Sequence, residues 1–596
     1  MTKSKILFLL ILFIGVFLRL YGNNWDQGWH LHPDERFLTM VGNDVKIPSS
    51  FSEYLNTPTS SFNPGNKGHA FYVYGTLPLL INKVLAQQVY SDTYDQFNLL
   101  GRVLSGLADF FVIIILYKLI ELVEKKLKLN TSIKYLSSFL YAIAVLPIQL
   151  SHFFTVDTFL NLFVWASFYF AVKLVVYTGN TSYSHSGEKR SDDSRIDSGQ
   201  ARMTQIYYVC LSGLFFGLAL ACKISALYFA PLIGIFVFFG LAQNITAFSM
   251  SLLKLKIIDW IPAFAGMTIF FLFCYLAVRI GSPYYFETNT ILNPQLSAVF
   301  INNIQTLKSF DNPAALFPPA NQWIHASPFL SITNLIFFGV GPVYFLFAVI
   351  GFLLLLNHRK PKLLLFVLFW VMGFTFYQSI QFAKTMRYLI FIYPFLSIFA
   401  AVGLSYVLNL FKKLSTFSSY MLHATCYICI LVWPLAFMSI YTMDHSRVTA
   451  SKWMYRTIPQ GSTILTEYWD DPLPLMVQDP RTRNYIGREV HIFDPDTKEK
   501  WQVINEQLNT ADYYIMSSNR GWGSVPTTPE RYPVASQFYK KMLEKKGNYT
   551  LIQEFSSYPS LRYLGIPLDF PDQWAEEAFT VYDHPQVLIF KKNKTQ

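Results

Sequence analysis

The chain has 596 residues, of which 52% are hydrophobic, 17% aromatic and only 14% charged. That is more apolar surface than a soluble fold can hide, so the composition excludes an ordinary soluble enzyme. The formal net charge of +11 gathers in short loops between apolar stretches, a pattern of membrane topology and not of nucleic-acid binding.

Crossing the hydrocarbon layer takes roughly 20 apolar residues per helix. Such stretches occur at 6–21, 97–122, 133–150, 153–176, 206–222, 224–242, 257–279, 330–356, 363–381, 387–409 and 420–442. They predict a multispanning α-helical membrane protein with about eleven transmembrane helices. Lys3 and Lys5 precede the first stretch, and bulky residues at its end leave no small-x-small cleavage site, so it reads as an uncleaved span.

With the N-terminus in the cytoplasm, Lys125, Lys126, Lys128, Lys134, Lys254, Lys256, Arg359, Lys360, Lys362, Lys412 and Lys413 all fall inside, as the positive-inside rule demands. Residues 70–89 are apolar enough to compete as a span, but accepting them turns Lys125 to Lys128 outward. They read instead as an amphipathic helix on the outer surface, broken near Gly75 and Pro78.

This map gives a transmembrane domain over 1–442, with a first external loop at 22–96 and a second at 281–329. Residues 178–204, rich in Ser, Gly, Asp and Arg, read as a flexible cytoplasmic insertion. The segments 197–204 and 260–268 look like peptides translated from interspersed repeats. Residues 443–596 then lie outside as an extracytoplasmic domain. Strand-like runs at 462–466, 513–516 and 587–590 and a helix-like run at 534–546 make it a mixed α/β domain. The five cysteines all sit in or at the edge of apolar stretches, so neither a disulfide framework nor a zinc cluster is implied. The Cys426/Cys429 pair reads as helix packing.

Chemistry is sought in the loop beside the first span, Trp29-His30-Leu31-His32-Pro33-Asp34-Glu35-Arg36. Pro33 followed by two acids is a good helix start on its own, and the same geometry fixes a carboxylate at the membrane face. Asp157, between two spans at their outer ends, serves equally as a helix N-cap or as a second carboxylate over the same outward cavity. Arg102, Lys223, Arg279, Lys384 and Arg387 fall at that level too. Singly each reads as a snorkelling side chain; together they are suited to a lipid-linked phosphate. His30, His32 and Asp34 alternate along the chain and, with His152 or His325 nearby, offer donors for a divalent metal ion, a reading that alternation alone leaves open.

These motifs, in their order and sidedness, resemble the GT-C superfamily of membrane glycosyltransferases, notably protein O-mannosyltransferases and the bacterial transferases that move aminoarabinose to lipid A. The likeness covers most of the first 442 residues. It rests on Asp34-Glu35, an apolar surface helix at 71–85, Gly101-Arg102-Val103-Leu104-Ser105 opening the second span, Asp157, and Arg387-Tyr388-Leu389 with Tyr393-Pro394. The His-Pro-Asp-Glu form and the run Val581-Tyr582-Asp583-His584-Pro585-Gln586-Val587 look most like a less characterised prokaryotic branch.

The resemblance implies a multi-pass protein of the cell (inner) membrane that moves a hexose or pentose from a polyprenyl-phosphate-sugar donor, with inversion, to a protein, lipid or glycan acceptor outside the cytoplasm. In that scheme Asp34 is the general base, Glu35 orients the site or contacts the acceptor, and Asp157 supports it. Arg387, with Lys223 or Arg102 and with Lys384 in the same basic set, holds the donor phosphate. Superfamily members differ in metal use. Two rival readings share the outward cavity: a transporter or flippase of a lipid-linked substrate, and a ligase that moves a whole oligosaccharide.

Overall fold

The computed structural model describes residues 2–89, 93–124, 127, 129–184, 198–242, 257–357, 362–477, 481 and 483–593. Helix α1, Lys3–Leu20, begins the chain and carries Lys3, Lys5 and Arg19. The described residues include eight helices long and apolar enough to cross a membrane, or up to ten if each of two bent pairs is one span; α1, with three basic residues in 18, is not among them, so the count falls short of the expected eleven. Each of the eleven expected stretches coincides with α1 or with one of these elements.

Two of the expected stretches are bent pairs of helices. Ile133–Ala142 and Val145–Ser151 meet at 53°, and Leu330–Val340 and Pro342–Leu356 at 111°. Gly341 explains the sharper bend: its φ of +89° is left-handed, a Cβ there would meet Trp433 at 3.1 Å, and the following Pro342 has no N–H to continue the ladder.

The stretch at 70–89 holds no helix long enough to cross. Its helix, Leu77–Val89, has 13 residues and is about 20 Å long at 1.5 Å per residue, against about 30 Å of hydrocarbon. The helix starts at the expected breaking point. Gly75 just before it donates its N–H to Cys222 O at 2.8 Å, an approach so close that a Cβ would fall 1.8 Å from Ala221 O.

A buried cluster ties the first spans together. Arg19 donates to Asp109 at 2.7 Å and to Ala142 O at 2.9 Å, while the Tyr141 hydroxyl donates to Asp109 at 2.5 Å. The flanks of the expected insertion at 178–204 are helical, to Ser184 and again from Ser198, and residues 185–197 lie outside the described residues. So do Lys125, Lys126, Lys128, Lys254, Lys256, Arg359 and Lys360.

After the helix Ser446–Thr457 the chain builds one five-stranded mixed sheet: β1 Thr463–Glu467, β2 Ile486–Val490, β3 Tyr513–Met516, β4 Tyr549–Phe555 and β5 Val587–Lys592. The spatial order is β2-β1-β3-β5-β4, with β1 parallel to β2 and β3, and β5 antiparallel to β3 and β4. The three expected strands are β1, β3 and β5, and the helix Pro533–Leu543 covers the expected helical run. This domain sits directly on the membrane helices. Arg36 reaches Asp471 at 2.6 Å, Tyr441 donates to Asp583 at 2.9 Å, and Gln149 donates to Phe579 O at 2.7 Å.

Candidate active site

Asp34 stands in the first turn of helix α2, Pro33–Asp44. Pro33 suits the first helical position, and the His32 ring caps the helix by accepting the Glu35 N–H at 3.3 Å. This geometry aims the Asp34 carboxylate at Arg387, which donates to it at 2.8 Å. Arg387 belongs to a tight turn, Met386–Ile392, that opens a late span. Its Nε lies 4.0 Å from Asp157, and Lys223 donates to the other Asp157 oxygen at 2.8 Å. Two acids and two cations from four separate segments thus meet at the ends of the membrane helices.

The cluster is not sealed: the Asp34 side chain is 30% exposed, Arg387 22% and Lys223 17%, while Asp157 is 5% exposed at its floor. Burial works to raise the Asp34 carboxyl, yet the Arg387 guanidinium, helped by His32 and Lys223, brings it down to about 2. Tyr74, from the segment before Leu77–Val89, faces the same groups, and burial together with the Asp34 and Asp157 charges holds its hydroxyl well above the ordinary range. Lys223 also lies 5.5 Å from the Tyr388 ring centre.

Glu35 points the opposite way, into the protein. Its carboxylate takes Arg102 Nε at 2.6 Å, Arg102 Nη2 at 2.8 Å and the Phe154 N–H at 3.0 Å. The remaining Arg102 donors go to Asp26 at 3.0 and 2.7 Å and to Asn23 O at 2.9 Å. All five guanidinium N–H groups are therefore in use, and Glu35, Arg102 and Asp26 are all fully buried. As a phosphate ligand Arg102 has no donor left to offer; it and Glu35 form the support that locks α2 against the span Tyr94–Val123.

Lys384 turns back onto its own loop, donating to Gln381 O at 2.9 Å and Phe382 O at 3.3 Å. Arg279 likewise bonds the carbonyls of Pro283, Thr288 and Thr290 and holds the second external loop. The histidines do not gather round a metal. His30 Nε2 bonds Asp95 at 2.9 Å, His32 Nδ1 caps α2, and both His152 nitrogens face carbonyls, of Ile148 and of Tyr21, at 2.8 Å. Among the described residues no three His, Cys, Asp or Glu side chains converge as a metal site would require. The donor set of His30, His32 and His152 does not fit a divalent ion.

Sequence reasoning missed the share of the C-terminal domain. Tyr582 packs on the His32 ring with centroids 4.2 Å apart. Glu576 accepts from Thr385 Oγ1 at 2.7 Å and from the Met386 N–H at 2.9 Å, fixing the turn that presents Arg387. A cavity of about 10 Å³, at the lower limit for one water, lies between them, lined in part by His32, Phe153, Arg387, Glu576 and Tyr582. Behind it His584 bridges Asp583 at 2.5 Å and Asp572 at 2.8 Å in a fully buried triad. The one sequence signal was the run Tyr582-Asp583-His584, noticed only as part of a resemblance.

No protein-family model matches the chain, and no curated protein matches it. Solved structures do. The chain is similar to GT-C membrane glycosyltransferases. The apo oligosaccharyltransferase of Archaeoglobus fulgidus aligns at 12% identity and a TM-score of 0.49, over 99% of this chain and 88% of that one. ArnT from Cupriavidus metallidurans aligns at 12% identity and a TM-score of 0.42, over 88% and 95%. The Pmt1-Pmt2 protein O-mannosyltransferase complex of S. cerevisiae aligns at 14% identity and a TM-score of 0.31, over 47% and 33%. ArnT has also been solved bound to undecaprenyl phosphate, and the Archaeoglobus enzyme with an inhibitory peptide and a dolichol-phosphate.

Proposed function

We propose that the chain transfers a sugar from a polyprenyl-phosphate-linked donor to an acceptor hydroxyl at the outer face of the membrane, with inversion at the anomeric carbon. The observation that carries this reading is Arg387, set between Asp34 and Asp157 with Lys223 as a second cation beside it. Two cations at the mouth of a membrane cavity suit a lipid-linked phosphate, and the adjacent carboxylate suits a base.

A carboxylate at about 2 is a weak base while Arg387 holds it. Donor phosphate competes for the same guanidinium, so binding draws Arg387 away and makes Asp34 more basic as the acceptor arrives. Asp34 then takes the acceptor proton, and the acceptor oxygen attacks the anomeric carbon from the face opposite the phosphate. The bond from that carbon to the phosphate oxygen breaks, its electron pair stays on phosphate, and Arg387 and Lys223 stabilise the departing charge. Phosphate leaves without a protonating acid, unlike the leaving group of a glycosidase. Asp157 keeps the two cations in place, and Glu35 with Arg102 keeps α2 rigid.

Lys134, Lys362, Lys412 and Lys413 stand at the helix ends away from the site, which supports a cytoplasmic N-terminus and an outward-facing C-terminal domain.

The test is incubation of purified wild-type and Asp34→Asn protein in lipid with radiolabelled polyprenyl-phosphate sugars, following donor loss and polyprenyl phosphate release. Loss of the base lowers turnover by about 10²–10⁴-fold. Near-normal turnover by Asp34→Asn defeats the assignment. Movement of intact donor across the bilayer without consumption points to a transporter, and consumption of oligosaccharide donors alone points to a ligase.

A further inference from the structure

An aromatic strip is assembled from three distant parts of the chain, each tied to a neighbour of the Asp34–Arg387 cluster. Phe71 of the first external loop meets Phe310 of the second at 6.2 Å between ring centres, Phe310 stacks on Phe317 at 5.1 Å, and Phe317 meets Trp469 at 5.8 Å. Trp469 continues to Tyr468 at 6.0 Å, and Tyr468 stacks on His491 at 4.5 Å. Phe71, Tyr468 and Trp469 are each about two-fifths exposed. Both neighbours of Trp469 stand steeply inclined to its ring, at 88° and 72°, so neither lies flat over the indole face.

Each segment of the strip is anchored to the catalytic cluster. Phe71 lies three residues before Tyr74, which faces Asp34 and Arg387. Asp311, next to Phe310, accepts the Ala383 N–H at 3.0 Å, four residues before Arg387. Asp471, two residues after Trp469, pairs with Arg36, two residues after Asp34. Trp469 itself has a φ of +79°, a conformation that bulky residues avoid, at a cost of about 1–3 kcal/mol. Arg520 holds the Trp469 carbonyl there and is in turn held by Glu577 at 2.5 Å. A strained backbone fixed from behind, with its indole turned to solvent, is a preorganised binding surface.

We infer that this strip binds the acceptor, and that the acceptor is a saccharide chain laid across ring faces with one hydroxyl brought to Asp34. The proposal rests on the transferase reading above and adds the substrate class. Pyranose rings present a flat C–H face that packs on aromatic faces, and their rim hydroxyls find a polar partner in His491, whose side chain is 52% exposed. A peptide held by main-chain pairing needs a strand edge, whereas these rings stand on loops.

The experiment is calorimetric titration of the full chain, as wild type and as Asp34→Asn, in lipid nanodiscs with chitohexaose, mannohexaose and cellohexaose. A short peptide rich in Ser and Thr is the comparison. At least one hexasaccharide is expected to bind both proteins, to bind Trp469→Ala and Phe317→Ala about tenfold more weakly, the order of one lost ring contact, and to bind Trp469→Phe nearly as wild type. Binding of none of the three sugars, equal binding by Trp469→Ala, or binding of the peptide at these rings overturns the proposal. Donor consumption that Asp34→Asn abolishes, found without sugar binding, removes this inference and leaves the transferase; consumption that persists in Asp34→Asn removes the transferase itself.

Discussion

Arg387→Ala takes away the only described side chain that reaches both Asp34 and Asp157, at 2.8 and 4.0 Å. Two effects follow from that geometry. Loss of one preorganised donor to developing charge lowers kcat by about 10²–10³-fold, or about 2.7–4 kcal/mol in the barrier. The second effect is on pH dependence. Burial raises the Asp34 carboxyl and Arg387 leads the groups that bring it down to about 2, so removing the guanidinium lets it rise. A base is lost as pH falls through its pKa, so the acid limb of kcat/KM, which reports the free enzyme, lies below the working range in wild type and moves up into it in the variant. Arg387→Lys keeps the charge without the fork and falls between the two. The assay is release of polyprenyl phosphate by full-length protein in nanodiscs, from about pH 4 to pH 9. A variant with wild-type kcat and an unmoved acid limb refutes both the phosphate role of Arg387 and its hold on Asp34.

Glu35→Ala leaves fully buried Arg102 with Asp26 as its one carboxylate and strips the Phe154 N–H of its partner. It is expected to lower stability by about 3–5 kcal/mol, read by thermal unfolding in detergent, and an unchanged Tm contradicts the support role. For His584, burial opposes the charge but Asp572 and Asp583 outweigh it and raise the imidazole to about 10. A raised pKa adds stability that is complete below the ordinary histidine value of about 6.5 and is lost as pH rises through the folded value. Unfolding scans should therefore show wild type weakening steadily up to about pH 10, and His584→Phe lacking that slope; equal slopes refute it. Shortening the chain between Asn180 and Met203 is expected to leave donor consumption intact, and an inactive but well-inserted deletion refutes it.

The spans were legible because hydrocarbon demands long apolar runs that nothing else in a sequence imitates. Asp34, Asp157, Lys223 and Arg387 were legible for a related reason, since charge beside a span stands out, and sidedness alone gathers them on one face. Partner choice was not legible. Glu35 and Asp34 are neighbours in sequence, yet α2 turns one inward to Arg102 and the other outward to Arg387. Asp26, which occupies half of the Arg102 fork, sits in a turn with no motif of its own. The bend at Gly341 hides in a continuous apolar stretch. β2 was missed because its sequence, Ile-Gly-Arg-Glu-Val, is an exposed edge strand with little apolar pattern. Glu576 and Tyr582 join a site that begins at residue 30, and no local pattern reports contacts of that span.

The strand order has a consequence for when the site is complete during synthesis. β5, at Val587–Lys592, is not an edge strand but the partner that joins β4 to β3, and the residues just before it, 576–584, cover His32 and brace the Arg387 turn. A chain halted before residue 576 carries every acid and cation of the cluster yet leaves them uncovered and the turn unbraced. Completion of the C-terminal segment thus finishes the site in the membrane half.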